Sequence, residues 1–249
     1  MFNTLTVILW AGMLGATGPA HEPVDAPPRP VLVELFTSQG CPLCPDANQY
    51  LGELDARDDV IALGFGVSYW DIYGWEDTFA RPEYTERQRT YKYSLGVPRI
   101  YTPQFVIDGA AEASGVEADA IRSAIQRRRM AMPANVQVTT ESLGDGNHRL
   151  RIVGTVPSDE PADVWLAVFD PGWHVVNVEG GSNAGLAMRL YNPVRALLHL
   201  GEWQSGEEFF GASLPRGSSA AIIVQAPNGG PVYGAARFSP DPVAIAANN

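Results

Sequence analysis

An α/β half followed by an antiparallel β-rich half is the fold class that the sequence predicts, and three observations predict it. Two cysteines three residues apart, Cys41 and Cys44, stand between an apolar β-forming run and a stretch with helical spacing. A second buried run follows that helix, and strand-helix-strand succession favours a parallel pair joined by a right-handed crossover. Beyond Pro133 the texture changes to short alternating segments separated by Gly, Pro, Asn and Asp.

The elements follow in order. Residues 31–36 (VLVELF) read as a strand, and the polar turn 37–40 leads into the cysteines. Pro45 sits where a first helical turn tolerates it, and Ala47, Leu51 and Leu54 recur at helical spacing to about Arg57. Residues 60–68 (VIALGFGVS) are the second strand, which puts the cysteines at the C-terminal end of the first, where open α/β sheets place their sites. From Tyr69 to Tyr101 come nine aromatics, in a stretch too long for a simple connection. It reads as an insertion over about 69–100 with a helix at roughly 82–95. Its rings are read first as a small local core, since aromatics bury large areas, and second as a stacking surface beside the cysteines. Residues 104–107 (QFVI) form a strand, Asp108-Gly109 turns it into a return strand ending near Ser114, and Ser114 and Glu117 have capping-box spacing. The helix that follows places Ala120, Ile121, Ala124 and Ile125 on one face and closes the first domain, 31–132. In the second domain, 133–249, alternating segments at 136–140, 148–156, 164–169, 175–179, 220–225 and 232–238 predict a sandwich-like fold of about seven antiparallel strands.

Charge and composition exclude some functions. A formal net charge of −11 repels phosphates, so neither nucleic acid nor an anionic lipid surface is an expected partner. The one basic run, 127–129, ends a predicted helix and complements its dipole. Residues 1–20 contain no charged side chain, carry an apolar run over 5–14 and end in small residues, the pattern of a signal peptide. The run is shorter than the roughly 20 residues of a spanning helix, so stable membrane insertion is not expected. Residues 21–30 read as a Pro-rich lead-in. The expected location is periplasmic or secreted.

Two cysteines cannot staple a small fold, and their CxxC spacing beside a strand-helix-strand unit reads as a thioredoxin-like redox motif. The helix N-terminus favours thiolate at Cys41, whereas Asp46 in the first turn opposes it. The i, i+3 spacing lets Cys44 resolve a mixed disulfide formed on Cys41. Pro42 stiffens the loop between the sulfurs, and Pro42 and Leu43 are its substrate-facing residues. Glu34 shares a strand face with Leu32 and Phe36. Pointing beneath the motif it would be a proton acceptor for Cys44; at an edge it would face solvent. Thr102-Pro103 opens the 104–107 strand as a candidate cis bond.

The string VELFTSQGCPLCPDAN at 33–48 resembles the signature of a bacterial, mostly exported family of thioredoxin-like proteins, domain of unknown function 1223. Three further blocks match its pattern: VSYWDIYGWEDTF at 67–79, YTPQFVIDG at 101–109, and GSNAGLAMRLYNPVRALLHLGEW at 181–203. The resemblance implies a thioredoxin-like domain with a β-rich extension. It also implies that Thr102 and Pro103 lie against the CxxC, with the Thr102 backbone pairing with substrate. Family members place small Ser residues between the cysteines and a second Pro after them, where this chain has Pro42, Leu43 and Asp46. In the last block, Arg189 and Arg195 either fix a loop by pairing with Glu179 or Glu202 or bind an anionic partner.

The leading expectation is a cofactor-free thiol-disulfide oxidoreductase acting on thiols or disulfides of exported proteins. One alternative is a thiolate site for copper or zinc, although His21, His148, His174 and His199 are scattered without ligand spacing. The other is an envelope interaction protein with an inert CxxC disulfide, and exposure of Cys41 separates it from the first. Neither a G-x-S-x-G elbow nor a phosphate loop is present.

Overall fold

The computed structural model describes residues 29–131 and 136–239. The expected signal peptide and most of the lead-in therefore lie outside the described residues. Strand β1 (Val31–Thr37) is buried along its whole length and runs parallel to β2 (Val60–Gly66), with helix α1 (Cys44–Asp55) as the crossover. A 3₁₀ turn (Ser68–Tyr73) and helix α2 (Pro82–Ser94) occupy the aromatic insertion. Strand β3 (Gln104–Ile107) pairs antiparallel with β1, and β4 (Ala111–Ser114) pairs with β3, giving the sheet order β2-β1-β3-β4. The turn between β3 and β4 has positive φ at Asp108 and Gly109, 51° and 59°, a conformation this residue pair tolerates.

Helix α3 (Ala118–Ala131) buries Ile121, Ala124 and Ile125, while Ala120 is exposed. Half of the capping box is made, the Glu117 carboxylate accepting from the Ser114 N–H at 3.3 Å. Two arginines of the basic run in the last turns of α3 are engaged in ion pairs, Arg128 with Asp108 and Arg129 with Asp59.

Because side chains alternate along a strand, β1 feeds two cores. Val33 and Leu35 pack against Ala47 and Leu51 of α1 and Ile121 and Ile125 of α3. Leu32 and Phe36 face the other way, toward Tyr84 and Tyr91 of α2 and toward Phe169 and Ile223 of later strands. The two halves of the chain thus share a core.

Among the described residues, nine strands form the second half. These are β5 (Val136–Gly144), β6 (Asn147–Thr155), β7 (Ala162–Phe169), β8 (Trp173–Asn177), β9 (Ala187–Tyr191), β10 (Val194–Trp203), β11 (Ser205–Ser213), β12 (Ser219–Gln225) and β13 (Val232–Phe238). Two antiparallel sheets, β10-β7-β12-β13 and β11-β6-β5, bury Leu150 and Ile152 against Leu166, Val168, Ile222 and Val224. Seven strands lie in these sheets, but β8, expected among them, pairs with β9 in a separate ribbon. That ribbon leans on α1, where a Cβ on Gly52 would come within 2.5 Å of the Trp173 ring.

Asp108 ties these parts together. Its buried carboxylate accepts from the Leu32 N–H at 2.8 Å, from Arg29 at 3.1 and 3.2 Å and from Arg128 at 3.3 Å. Its carbonyl accepts from the Val232 N–H at 2.8 Å.

Candidate functional site

Past the end of β1 the chain turns through Ser38, whose carbonyl accepts from the Cys41 N–H at 3.1 Å and whose hydroxyl accepts from the Gly40 N–H at 3.1 Å. Cys44 is the first residue of α1, and the Cys41 carbonyl accepts from its N–H at 3.2 Å. The two sulfurs are joined as a disulfide with a Cα–Cα separation of 5.4 Å. Asn48, one turn along α1, donates from Nδ2 to the Cys44 carbonyl at 3.0 Å and to the Thr37 hydroxyl at 2.8 Å, locking strand end to helix start.

The disulfide is covered. Cys41 is 1% exposed and Cys44 is fully buried. They share one apolar cluster with Val178, just past β8, and with Met188 and Leu190 of β9, and Trp70, Trp75 and Phe79 of the aromatic insertion pack against that cluster. The rings of the insertion divide by position: Tyr84 and Tyr91 lie in a core shared with later strands, larger than the local one expected, while these three pack beside the cysteines.

Side-chain amides fix the cover. Trp75 Nε1 donates to Gln39 Oε1 at 2.8 Å, and Gln39 Nε2 donates to the Thr78 hydroxyl at 2.9 Å. Asn183, in a 3₁₀ turn (Gly181–Asn183) between β8 and β9, donates from Nδ2 to the carbonyls of Gln39 at 2.8 Å and Cys41 at 2.9 Å. Asp77 accepts from the Gln39 N–H at 2.7 Å and from the backbone of Phe79 and Ala80. Burial pushes the Asp77 carboxyl above its ordinary value, against the pull of those donors.

Of the residues singled out in the sequence, Cys41, Cys44, Pro42 and Leu43 occupy one junction, with Pro42 exposed and Leu43 60% exposed over the buried sulfurs. The Thr102-Pro103 bond is cis. Thr102 reaches the site through Trp70, whose Nε1 donates to its hydroxyl at 2.7 Å, and Gly115 separates Pro103 from Ala47 of α1 so closely that a Cβ there would sit 2.6 Å from the proline ring.

Glu34 is buried but is not brought to the sulfurs. Its strand phase turns it with Leu32 and Phe36 away from α1, and Arg87 of α2 meets it at 2.6 and 3.2 Å. The Tyr91 hydroxyl also donates to it, and Arg87 reaches Gln225 of β12 at 3.2 Å. Burial acts to lower the Arg87 pKa, yet Glu34 and Tyr91 outweigh it and hold the guanidinium charged. A carboxylate committed to this network is not a free proton acceptor for Cys44.

Arg189 and Arg195 take other partners than the expected glutamates. Arg189 lies over the Trp173 ring at 4.1 Å, and Arg195 pairs with Asp170 at 3.7 Å and lies over Phe79. Asn183, Gln39, Trp75 and Asp77 were not singled out by sequence reasoning, although each lies inside a block that was. Among the described residues, no three His, Cys, Asp or Glu side chains come together as a metal site.

A four-stranded mixed sheet whose first strand ends in a covered CxxC disulfide, continued by antiparallel sheets that share its core, defines a class of two-part α/β protein. This chain belongs to the family described as protein of unknown function (DUF1223), whose model matches residues 32–225. Its structure is similar to the crystal structure of protein AGR_C_4864 from Agrobacterium tumefaciens, with a TM-score of 0.73 and 28% identity over 86% of this chain and 96% of that one. A likeness to the Pseudomonas fluorescens alkylpurine DNA glycosylase AlkC bound to DNA has a TM-score of 0.20 at 16% identity, over 50% of this chain and 36% of that one, and carries no argument. No curated protein matches.

Proposed function

We propose that this protein is a thioredoxin-like thiol-disulfide exchange protein acting on exported polypeptides. One observation carries the reading: the bonded pair stands at a strand-to-helix junction, with Cys44 opening α1 and the Thr102-Pro103 segment tied in through Trp70. The order β2-β1-β3-β4 with one antiparallel hairpin supports the same assignment. The uncharged, apolar residues 1–20 support export.

In the oxidised form a partner thiolate attacks the Cys41 Sγ. The Sγ–Sγ bond breaks, its electron pair leaves on Cys44 as thiolate, and a mixed disulfide remains on Cys41. A second thiolate of the partner attacks the partner's own sulfur in that bond and releases Cys41. Two electrons have then passed from a partner dithiol to this protein, and the reverse sequence reduces a partner disulfide. The helix N-terminus stabilises the thiolates, and no cofactor enters.

The burial of Cys41 favours a second reading, an inert disulfide in a protein that binds through its other surfaces. Alkylation of the reduced protein at graded pH separates the two. Exchange predicts one thiol titrating below the ordinary cysteine value of about 8.5 and, in Cys44→Ser, mixed disulfides with exported proteins. An unshifted thiol, or a variant that traps nothing, leaves the inert disulfide standing.

A further inference from the structure

We infer that residues 178–186 are a displaceable cap over the disulfide, that Asn183 is its latch, and that an extended polypeptide displaces it. The last clause rests on the exchange reading above.

Three observations lead here. Between Val178 and Met188 every residue is exposed or half-exposed except Asn183, which is buried. An amide buried alone in an otherwise solvent-facing turn is there for its two hydrogen bonds, and both go to main-chain carbonyls of the cysteine turn, Gln39 and Cys41.

The cap is also closed on itself. The Val178 N–H donates to Leu186 at 2.9 Å, Gly185 to Val178 at 2.8 Å and Leu186 to Asn183 at 3.0 Å, all to carbonyls. Gly181 and Gly185, with φ of 66° and 84°, supply the left-handed positions that this closure requires. Such a turn keeps its own backbone bonds when it lifts. What it gives up is the Asn183 pair, the packing of Val178 in the cysteine cluster and the close contact of Gly180 and Gly181 with residues 73–75.

The chemistry of the latch names the class of ligand. Asn183 offers a carboxamide N–H to backbone carbonyls beside the reactive sulfur, which is the donor that a polypeptide main chain carries at every residue except proline. A polypeptide laid along the turn at residues 39–41 satisfies those carbonyls as the cap leaves. A small thiol without amides does not.

The test follows reduction of the disulfide in the full oxidised chain, by dithiothreitol and by a cysteine-containing peptide, with alkylation and mass measurement as readout. Asn183→Ala is expected to be reduced by dithiothreitol at least about tenfold faster than wild type, the size of effect that losing two neutral hydrogen bonds produces. Wild type is expected to favour the peptide over dithiothreitol, thiol for thiol, more than the variant does. Gly180→Ala gives an independent route, since its Cβ would stand 2.2 Å from the Gly74 carbonyl oxygen and push the base of the cap outward. It too is expected to speed reduction.

Equal rates in wild type and both variants would overturn the cap while leaving exchange intact. Faster reduction in the variants, with no electron transfer from any polypeptide dithiol in wild type, would uphold the cap and overturn both the polypeptide and the exchange reading. Should both variants fail to fold, exchange of the Asn183 side-chain amide protons in wild type, followed by NMR, decides: protection equal to that of the β1 backbone amides would overturn the cap.

Discussion

A carboxylate inside an apolar strand is costly unless something answers it, and Glu34 is answered by Arg87 from α2, with Tyr91 and Gln225 completing the network. Removing one member of such a pair strands the other charge out of water. Arg87→Met is therefore expected to lower the unfolding free energy by about 3–5 kcal/mol in urea titration, whereas replacing Glu34 and Arg87 together by apolar residues recovers most of that. The same geometry predicts that Glu34→Gln leaves the pH profile of Cys41 alkylation where wild type has it, since the side chain sits across the sheet from α1. A shifted profile would restore Glu34 to the redox centre. The sequence carried half of this: Leu32 and Phe36 pointed to a buried face. It did not carry Arg87, 53 residues away on a helix with almost no amphipathic pattern, so the partner that removes Glu34 from the chemistry was invisible.

The segment between β2 and α2 works as a clasp, and Asp77 holds it by accepting backbone bonds from Gln39, Phe79 and Ala80. Burial raises its pKa in the folded protein above the unfolded value of about 3.9. In that window the native state holds more protons than the unfolded one, so this contribution is full below the unfolded pKa and is lost as pH rises through the folded pKa. The stability gap between wild type and Asp77→Asn is expected to widen in favour of wild type on acidification from neutral toward the ordinary carboxylate range; a constant gap would remove Asp77 as the source. Elements with clean periodicity were readable from the chain: β1, α1, β2, β3 and α3 lie within a few residues of their expected bounds, and α2 does so on its bounding Pro82 and Gly96 rather than on periodicity. Strands β9, β10 and β11 were not. β10 carries register shifts near Ala196 and Gly201 that break alternation, and β11 is mostly exposed and begins SGEE. The cysteines and Thr102-Pro103 were readable because the chemistry is local. Asn183 was not, because its value lies in carbonyls 142 and 144 residues earlier.

At the scale of the molecule, the two halves meet through the face of β1 that carries Leu32 and Phe36 and through α2, burying Phe169, Ile223 and Val232 with them. Asp108 stands at the edge of that meeting. One carboxylate receives Arg29, the β1 backbone and the last turns of α3, while its own peptide holds β13. Burial lowers the Arg29 pKa and Asp108 counters it, so each depends on the other. The consequence is cooperativity. With a single acid joining three segments that are distant in sequence, at 29–32, 128 and 232, neither half gains freedom before the other does, and denaturation should be one transition. Asp108→Ala is expected to split it, with amides of β12 losing protection at a lower denaturant concentration than those of β1, as hydrogen exchange with mass detection would record. Coincident loss in the variant would mean that the shared apolar core alone makes the two halves fold as one.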